Sequence, residues 1–177
     1  VKNCKIRDFY YGIYVGDADN SWIITNNEVG GKGHNVHGIS IWYASHVLVE
    51  TNRATNNGIG IFLRSYEDTV KTNEVRMNDY GILLNASNHI NIQGNTAEEN
   101  GQGIYLDSSH NNTIIGNQVN SNTKNGICLS VSHDNSVNDN SAISNDIGIY
   151  LYHSDRNNLV GNEANYNHYG IWLRSSS

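Results

Sequence analysis

The sequence predicts an all-β fold, a parallel β-helix of about eight coils of roughly 22 residues with three short strands in each. Three observations lead there. The phrase Gly-Ile-x-(Leu/Val/Ile) opens at Gly12, Gly38, Gly60, Gly81, Gly103, Gly126, Gly148 and Gly170. Two columns of asparagine keep the same period. The β-branched and Asn/Gly-rich content opposes helix. A fixed period of this length marks a solenoid, in which each unit buries its apolar side only by stacking on its neighbours.

The coil from Gly148 serves as template: Ile149, Tyr150 and Leu151 are followed by Ser154, Leu159, Asn162, Ala164 and Asn167. The coil from Gly81 repeats it with Ser87, Ile92, Asn95, Ala97 and Asn100. Residues two apart in a strand share a face, so Ile149 and Leu151 point inward and Tyr150 outward. Two shorter strands carry single inward residues, here Leu159 and Ala164, and each ends at an Asn. Leucine-rich repeats share the period but need a Leu-x-x-Leu-x-Leu phrase that is absent.

One Asn column runs Asn27, Asn52, Asn73, Asn95, Asn117, Asn140, Asn162, and the other Asn35, Asn57, Asn78, Asn100, Asn122, Asn145, Asn167. Asn tolerates the left-handed conformation of a sharp turn, and its amide bonds turn backbone and the next Asn, so both columns are expected to be structural ladders. The Ser87, Ser109, Ser132, Ser154 column belongs to the remaining turn. Stacked about 4.8 Å apart, the coils make a rod on the order of 35 Å long.

The 177 residues form a single domain, 1–177, with no apolar run near membrane-span length and hence no expected span. Val1, Cys4 and Ile6 occupy the registers of a coil whose beginning is missing, and the chain stops just after Leu173. Open stack ends expose core and strand edges, so a segment of a larger protein is expected, its ends capped by other domains of the parent or by another chain. Net charge is −6 with eleven scattered Lys and Arg, which leaves no basic stripe for nucleic acid. Cys4 and Cys128 lie about 25 Å apart by strand spacing, with Cys128 pointing outward, so no disulfide is expected.

The register breaks early. Gly12 to Gly38 carries four extra residues, most of them in Gly30-Gly31-Lys32-Gly33-His34, and Gly60 to Gly81 is one short. Insertions in solenoids emerge as loops on one face, often the binding face. Asp17, Asp19, His34, His37 and Arg64 gather around this coil and are the catalytic candidates, as carboxylates and imidazoles suited to general acid–base work. Asp17 and Asp19 are equally ordinary turn residues, and His34 a solvated loop residue.

The outward column of the main strand reads Tyr14, Ser40, Phe62, Leu83, Tyr105, Cys128, Tyr150, Trp172. Two residues on, a second column reads Gly16, Trp42, Arg64, Asn85, Asp107, Ser130, Tyr152, Arg174. Beside a bare glycine column, Tyr14, Trp42, Phe62, Tyr105, Tyr150, Tyr152 and Trp172 make a platform for sugar rings, with Arg64, Asp107 and Arg174 to bond hydroxyls or carboxylates. The plainer account is that aromatic residues suit strands. His110 and His133 share a register in successive coils at a spacing where two imidazoles can share a divalent or transition metal; a polar, solvated turn is the alternative. No other cofactor is expected.

The phrase Gly-Ile-x-Leu, Ser, Asn-x-(Ile/Leu/Val)-x-x-Asn-x-(Ala/Val)-x-x-Asn-x-x-Gly resembles the right-handed parallel β-helix repeats of the carbohydrate-binding and sugar-hydrolase class. It looks most like those grouped with the periplasmic copper-site maturation protein NosD, which also occur in large archaeal surface proteins. The resemblance covers nearly the whole chain and implies a right-handed helix. It further implies an extracellular, cell-surface or periplasmic location and a polysaccharide partner, which relatives such as pectate and alginate lyases, mannuronan epimerases and polygalacturonases cleave or modify. Catalytic motifs do not carry over: the epimerase Asp-Pro-His phrase is absent from a chain without proline, and His37-Gly38 only partly echoes the polygalacturonase Gly-His-Gly. Three functions follow: an extracellular domain that binds and in lyase or glycosidase fashion degrades polysaccharide, a structural or adhesive surface module, and a NosD-like metal-handling protein resting on His110 and His133.

Overall fold

The computed structural model describes residues 1–18, 21–31 and 36–177, and its described residues form a right-handed parallel β-helix built from three sheets. The main sheet has eight parallel strands, Tyr11–Gly16, His37–Ser45, Ile59–Tyr66, Tyr80–Asn85, Gln102–Asp107, Asn125–Ser130, Ile147–Tyr152 and Tyr169–Arg174. The second sheet has seven, from Ile23–Thr25 to Asn158–Val160. The third runs from Lys5–Ile6 to Thr96–Glu98 and continues as single bridges through Gln118, Ser141 and Glu163. Pairing follows the sequence register: Ile82 lies beside Ile61 and Ile104, and Leu84 beside Leu63 and Leu106.

Burial follows from this alternation. Ile39, Ile41, Ile61, Leu63, Ile82, Leu84, Ile104 and Leu106 of the main sheet have no exposed surface, nor do Val49, Val70, Ile92 and Ile114 of the second or Ala54, Val75 and Ala97 of the third. The third column carries the smaller residues Ala54, Val75 and Ala97. Together they form one continuous core.

Side-chain ladders hold the corners. The Asn100 backbone N–H and its Nδ2 both donate to Asn122 Oδ1, at 3.0 and 3.2 Å, and Nδ2 also donates to the Val75 carbonyl. The Asn27-to-Asn162 column repeats this pattern, and serine does the same work at the third corner, where the Ser87 N–H donates to Ser109 Oγ. Asn35 of the expected second column lies outside the described residues.

Two expectations are corrected. The ladder asparagines do not take the left-handed conformation; the residue before each does, whatever its chemistry, as at Thr51, Thr72, Met77, Glu99, Ser121 and Asp139 with φ of 51–58°. The preceding residue turns the corner so that the Asn amide can face inward to the backbone of adjacent coils. Nor is the glycine column a bare surface strip. A Cβ on Gly81 would stand 2.5 Å from the Gly103 carbonyl oxygen and 3.0 Å from Asn100 Nδ2, so glycine is required by close packing under the ladder.

A further Asn ladder went unrecognised in the sequence. The Ile90 N–H donates to Asn112 Oδ1, that of Asn112 to Asn135 and that of Asn135 to Asn157. Its register holds Val47, Asp68 and Ile90 in the earlier coils, which hides the column. Asp68 accepts the Val47 N–H at 2.7 Å.

Candidate functional site

The outward face of the main sheet carries three columns, because the residue before each glycine also points outward. Tyr11, His37, Ile59, Tyr80, Gln102, Asn125, Ile147 and Tyr169 stand in that extra column, as their pairing and ring contacts show. The signal was present as the recurrent Tyr-Gly pairs at Tyr11, Tyr80 and Tyr169, but the corner at glycine breaks the strict alternation used to assign faces.

Aromatic residues concentrate at two ends of this face. In the early coils Tyr11 packs on His37 at 5.1 Å, His37 stacks on Phe62 at 4.8 Å, and Trp42 packs on Phe62 at 4.8 Å. In the late coils Trp172 meets Tyr150 at 5.2 Å and Tyr169 at 4.9 Å, with Tyr152 alongside. Tyr80 and Tyr105 pair between them at 5.6 Å. Tyr14 is 55% exposed and Trp172 37%, so both present ring surface to solvent.

Phe62 is a correction to the platform: it is buried between His37 and Trp42 and supports them from below. Cys128 points outward yet is buried, because Tyr105 and Tyr150 flank it in register. That burial, with Asp107 nearby, pushes its thiol up to about 12. Both cysteines are free, as expected.

Polar groups occupy the middle. Asn85 Nδ2 donates to Asp107 Oδ2 at 2.9 Å, and Asn125 Nδ2 to Gln102 Oε1 at 3.1 Å. A groove of about 340 Å³ lies between Gln102, Tyr105, Asn125, Ser130, Tyr152 and Arg174. Burial raises the Tyr105 phenol above its ordinary range, against a hydrogen bond with Ser130 that lowers it, so Tyr105 offers a hydroxyl and not a phenolate.

Of the catalytic candidates, Asp17, His37 and Arg64 are described. Asp19 and His34 lie outside the described residues. Asp17 is exposed, and its N–H donates to the Trp42 carbonyl at 3.0 Å. His37 is buried, and desolvation lowers it to about 4. Ser40 Oγ receives the Trp42 indole N–H at 2.8 Å and lies 2.9 Å from His37 Nδ1. Arg64 instead stacks on aromatic rings, its guanidinium carbon 5.3 Å from Tyr43 and 6.0 Å from Trp42.

His110 and His133 stack in parallel, 5.2 Å apart, as their register predicted. Their Nδ1 atoms are already committed: His110 Nδ1 accepts the His133 N–H at 3.1 Å, and His133 Nδ1 accepts the Asp155 N–H at 2.9 Å. A metal on Nε2 would require the proton on Nδ1, which breaks these bonds. The pair does not fit a shared metal, and no group of three or more His, Cys, Asp and Glu suited to one occurs among the described residues. These imidazoles are rungs of another ladder, continuous with Asn88 and Asp155.

The three-sheet solenoid, its Asn ladders and its aromatic outer face define a right-handed parallel β-helix protein of the repeat class that the sequence resembles. The chain belongs to the family described as "Periplasmic copper-binding protein (NosD)", which it matches over residues 1–96 and 63–177. No curated protein sequence matches it. Among solved structures it is similar to the periplasmic alginate epimerase AlgG, with 19% identity, a TM-score of 0.76, and coverage of 98% of this chain and 49% of that one. It is similar also to the Azotobacter vinelandii mannuronan C-5 epimerase AlgE4 A-module, with 17% identity, a TM-score of 0.84, and coverage of 98% and 55%. The tailspike protein 2 of Escherichia coli O157:H7 bacteriophage CAB120 matches at 15% identity, a TM-score of 0.67, and coverage of 93% and 31%. The chain thus spans about half the length of the epimerases and a third of the tailspike. At these identities the likeness is one of fold.

Proposed function

We propose that this β-helix binds an extended polysaccharide along the outward face of its main sheet. The observation that carries this reading is the alignment of partly exposed rings, Tyr14, Trp42, Tyr105, Tyr150, Tyr152 and Trp172, on a single rigid face with hydrogen-bonding groups between them. Rings fixed by neighbouring coils lose little entropy when a sugar stacks on them. The alginate epimerases of similar fold act on a polysaccharide, which supports the same ligand class here.

Degradation of lyase or glycosidase type is the finer form of this reading, and it requires Asp17, His37 and Arg64 to meet one sugar. With His37 buried, neutral and packed between Tyr11 and Phe62, binding is the better supported activity. A location outside the cytoplasm, in the periplasm or beyond, and further domains or another chain against the coil ends complete the proposal. No described helix is long and apolar enough to cross a membrane.

Affinity electrophoresis against acidic and neutral polysaccharides tests it. Wild type is retarded by at least one polymer, and Tyr150→Ala with Trp172→Ala weakens that binding about tenfold or more. Unchanged retardation of the double variant overturns the platform. Product release from the bound polymer, lost in Asp17→Asn and His37→Ala, would establish degradation.

A further inference from the structure

The outward face is unlike the rest of the molecule in charge. The chain carries 17 carboxylate side chains and a net charge of −6. Yet the three outward columns of the main sheet contain a single carboxylate, Asp107, against two arginines, Arg64 and Arg174.

The arginines differ in the same way. Off this face, Arg7 pairs with Glu28, Arg53 with Glu74, Arg76 with Glu74, Glu98 and Glu99, and Arg156 with Asp134. Among the described residues, Arg64 and Arg174 have no carboxylate partner. Each lies over an aromatic ring instead, Arg64 over Tyr43 and Trp42, Arg174 over Tyr152 at 5.4 Å. Each also lines a surface groove, Arg64 with Tyr43 and Tyr66, Arg174 with Gln102 and Tyr150. A stacked guanidinium keeps its in-plane N–H donors free and its orientation fixed, the arrangement that receives a planar carboxylate through two parallel bonds.

Resting on the polysaccharide reading above, we infer that the ligand is an acidic polysaccharide bearing carboxylates along its length, and that Arg64 and Arg174 are its two carboxylate-binding stations. They share one outward column and stand five strands apart, about 24 Å along the axis at the usual strand spacing. An extended chain lying along the rod reaches both. Asp107 lies between them, two strands from Arg64 and three from Arg174, and its oxygens are engaged by Asn85 and Ser108. The middle of the face therefore meets sugar hydroxyls, which Gln102, Asn125 and Ser130 also suit.

The test compares polygalacturonate and alginate with their carboxyl-reduced, neutral counterparts at low salt, using wild type, Arg64→Gln, Arg174→Gln and the double variant. Wild type binds at least one acidic polymer ten-fold or more tighter than its reduced form. Each single variant weakens acidic binding about tenfold and changes neutral binding less than twofold, and the double variant shows no preference. Arg64→Lys and Arg174→Lys, which keep the charge and lose the planar fork, fall between, and they serve if a Gln variant does not fold by circular dichroism. Equal wild-type affinity for acidic and reduced polymers, or equal loss of both in the variants, overturns the inference and leaves the polysaccharide reading standing. Binding of none of the polymers overturns both.

Discussion

Asn78 donates both its backbone N–H and its Nδ2 to Asn100 Oδ1, at 3.0 Å each, so a single buried oxygen ties one coil to the next. Asn100 passes the pattern on to Asn122 and also caps the Val75 carbonyl. Each rung thus satisfies backbone groups that the corner withdraws from the sheets, in a wall where water has no access.

Replacing Asn100 by Ala strands the Asn78 N–H and the Val75 carbonyl without partners. At about 1–3 kcal/mol for each unsatisfied buried group, the loss is about 3–5 kcal/mol by denaturant unfolding. A loss under about 1 kcal/mol would mean that the ladder is not stabilising.

Asp68 stands where later coils have Asn. In that register Asn112 Nδ2 donates to the Ser87 carbonyl and Asn135 Nδ2 to that of Ser109; the corresponding carbonyl at Asp68 is that of Ala44, to which a carboxylate has no proton to give. Asp68 Oδ2 is buried without a bond of its own, and burial raises the carboxyl from 3.8 to about 6, against lowering by Ser65, the Val47 N–H and His46. A folded pKa above the unfolded one means that the native state holds the proton more tightly. The Asp68 contribution to stability is therefore most favourable below about pH 4, falls by about 3 kcal/mol as pH rises to about 6, and is flat above. Asp68→Asn is expected to remove this slope and to stabilise the protein at pH 7. Unfolding curves of both proteins at pH 4 and pH 7 check it, and parallel pH profiles would refute it.

His37 is the converse case. Lowered to about 4 by desolvation, it stays neutral in the native state through the range in which an unfolded histidine charges. Its contribution is present above about pH 6.5 and is lost progressively as pH falls toward 4. The His37 ring resonances should not move between pH 8 and pH 5 in an NMR titration; a midpoint near 6.5 would place the ring in solvent.

Val131 holds a left-handed φ of 49° while exposed, a conformation that β-branched residues adopt at a cost of about 1–2 kcal/mol. Val131→Asn should raise stability by about 1 kcal/mol, read as a higher unfolding midpoint at unchanged m-value. No gain would show that the Val side chain has packing to lose.

Cys128, buried and with its thiol raised to about 12, should resist alkylation at pH 8, whereas Cys4 is partly exposed. Mass spectrometry after iodoacetamide should find label on Cys4 alone in the native protein and on both residues after denaturation. Equal native labelling would contradict the burial of the Tyr105–Cys128–Tyr150 column.

The sequence by itself determined the solenoid, because a repeat that cannot bury its own apolar side converts register into spatial columns. Ile82 had to meet Ile104, and Asn100 Asn122, once the period was recognised. It likewise determined that Tyr150 and Trp172 share a face. Only the tertiary structure decided what each outward residue does there, since exposure depends on the residue one coil away: Phe62 and Cys128 point outward yet vanish beneath their neighbours, and His37 becomes a buried neutral ring. Only it revealed that the corner falls on the residue before each Asn, that Tyr80 and Tyr169 join the face across the bend at glycine, and that His110 and His133 spend their Nδ1 atoms on backbone. The physical reason is that repetition dictates which residues stack, while the size and hydrogen-bonding demand of each stacked pair dictate which atoms remain free.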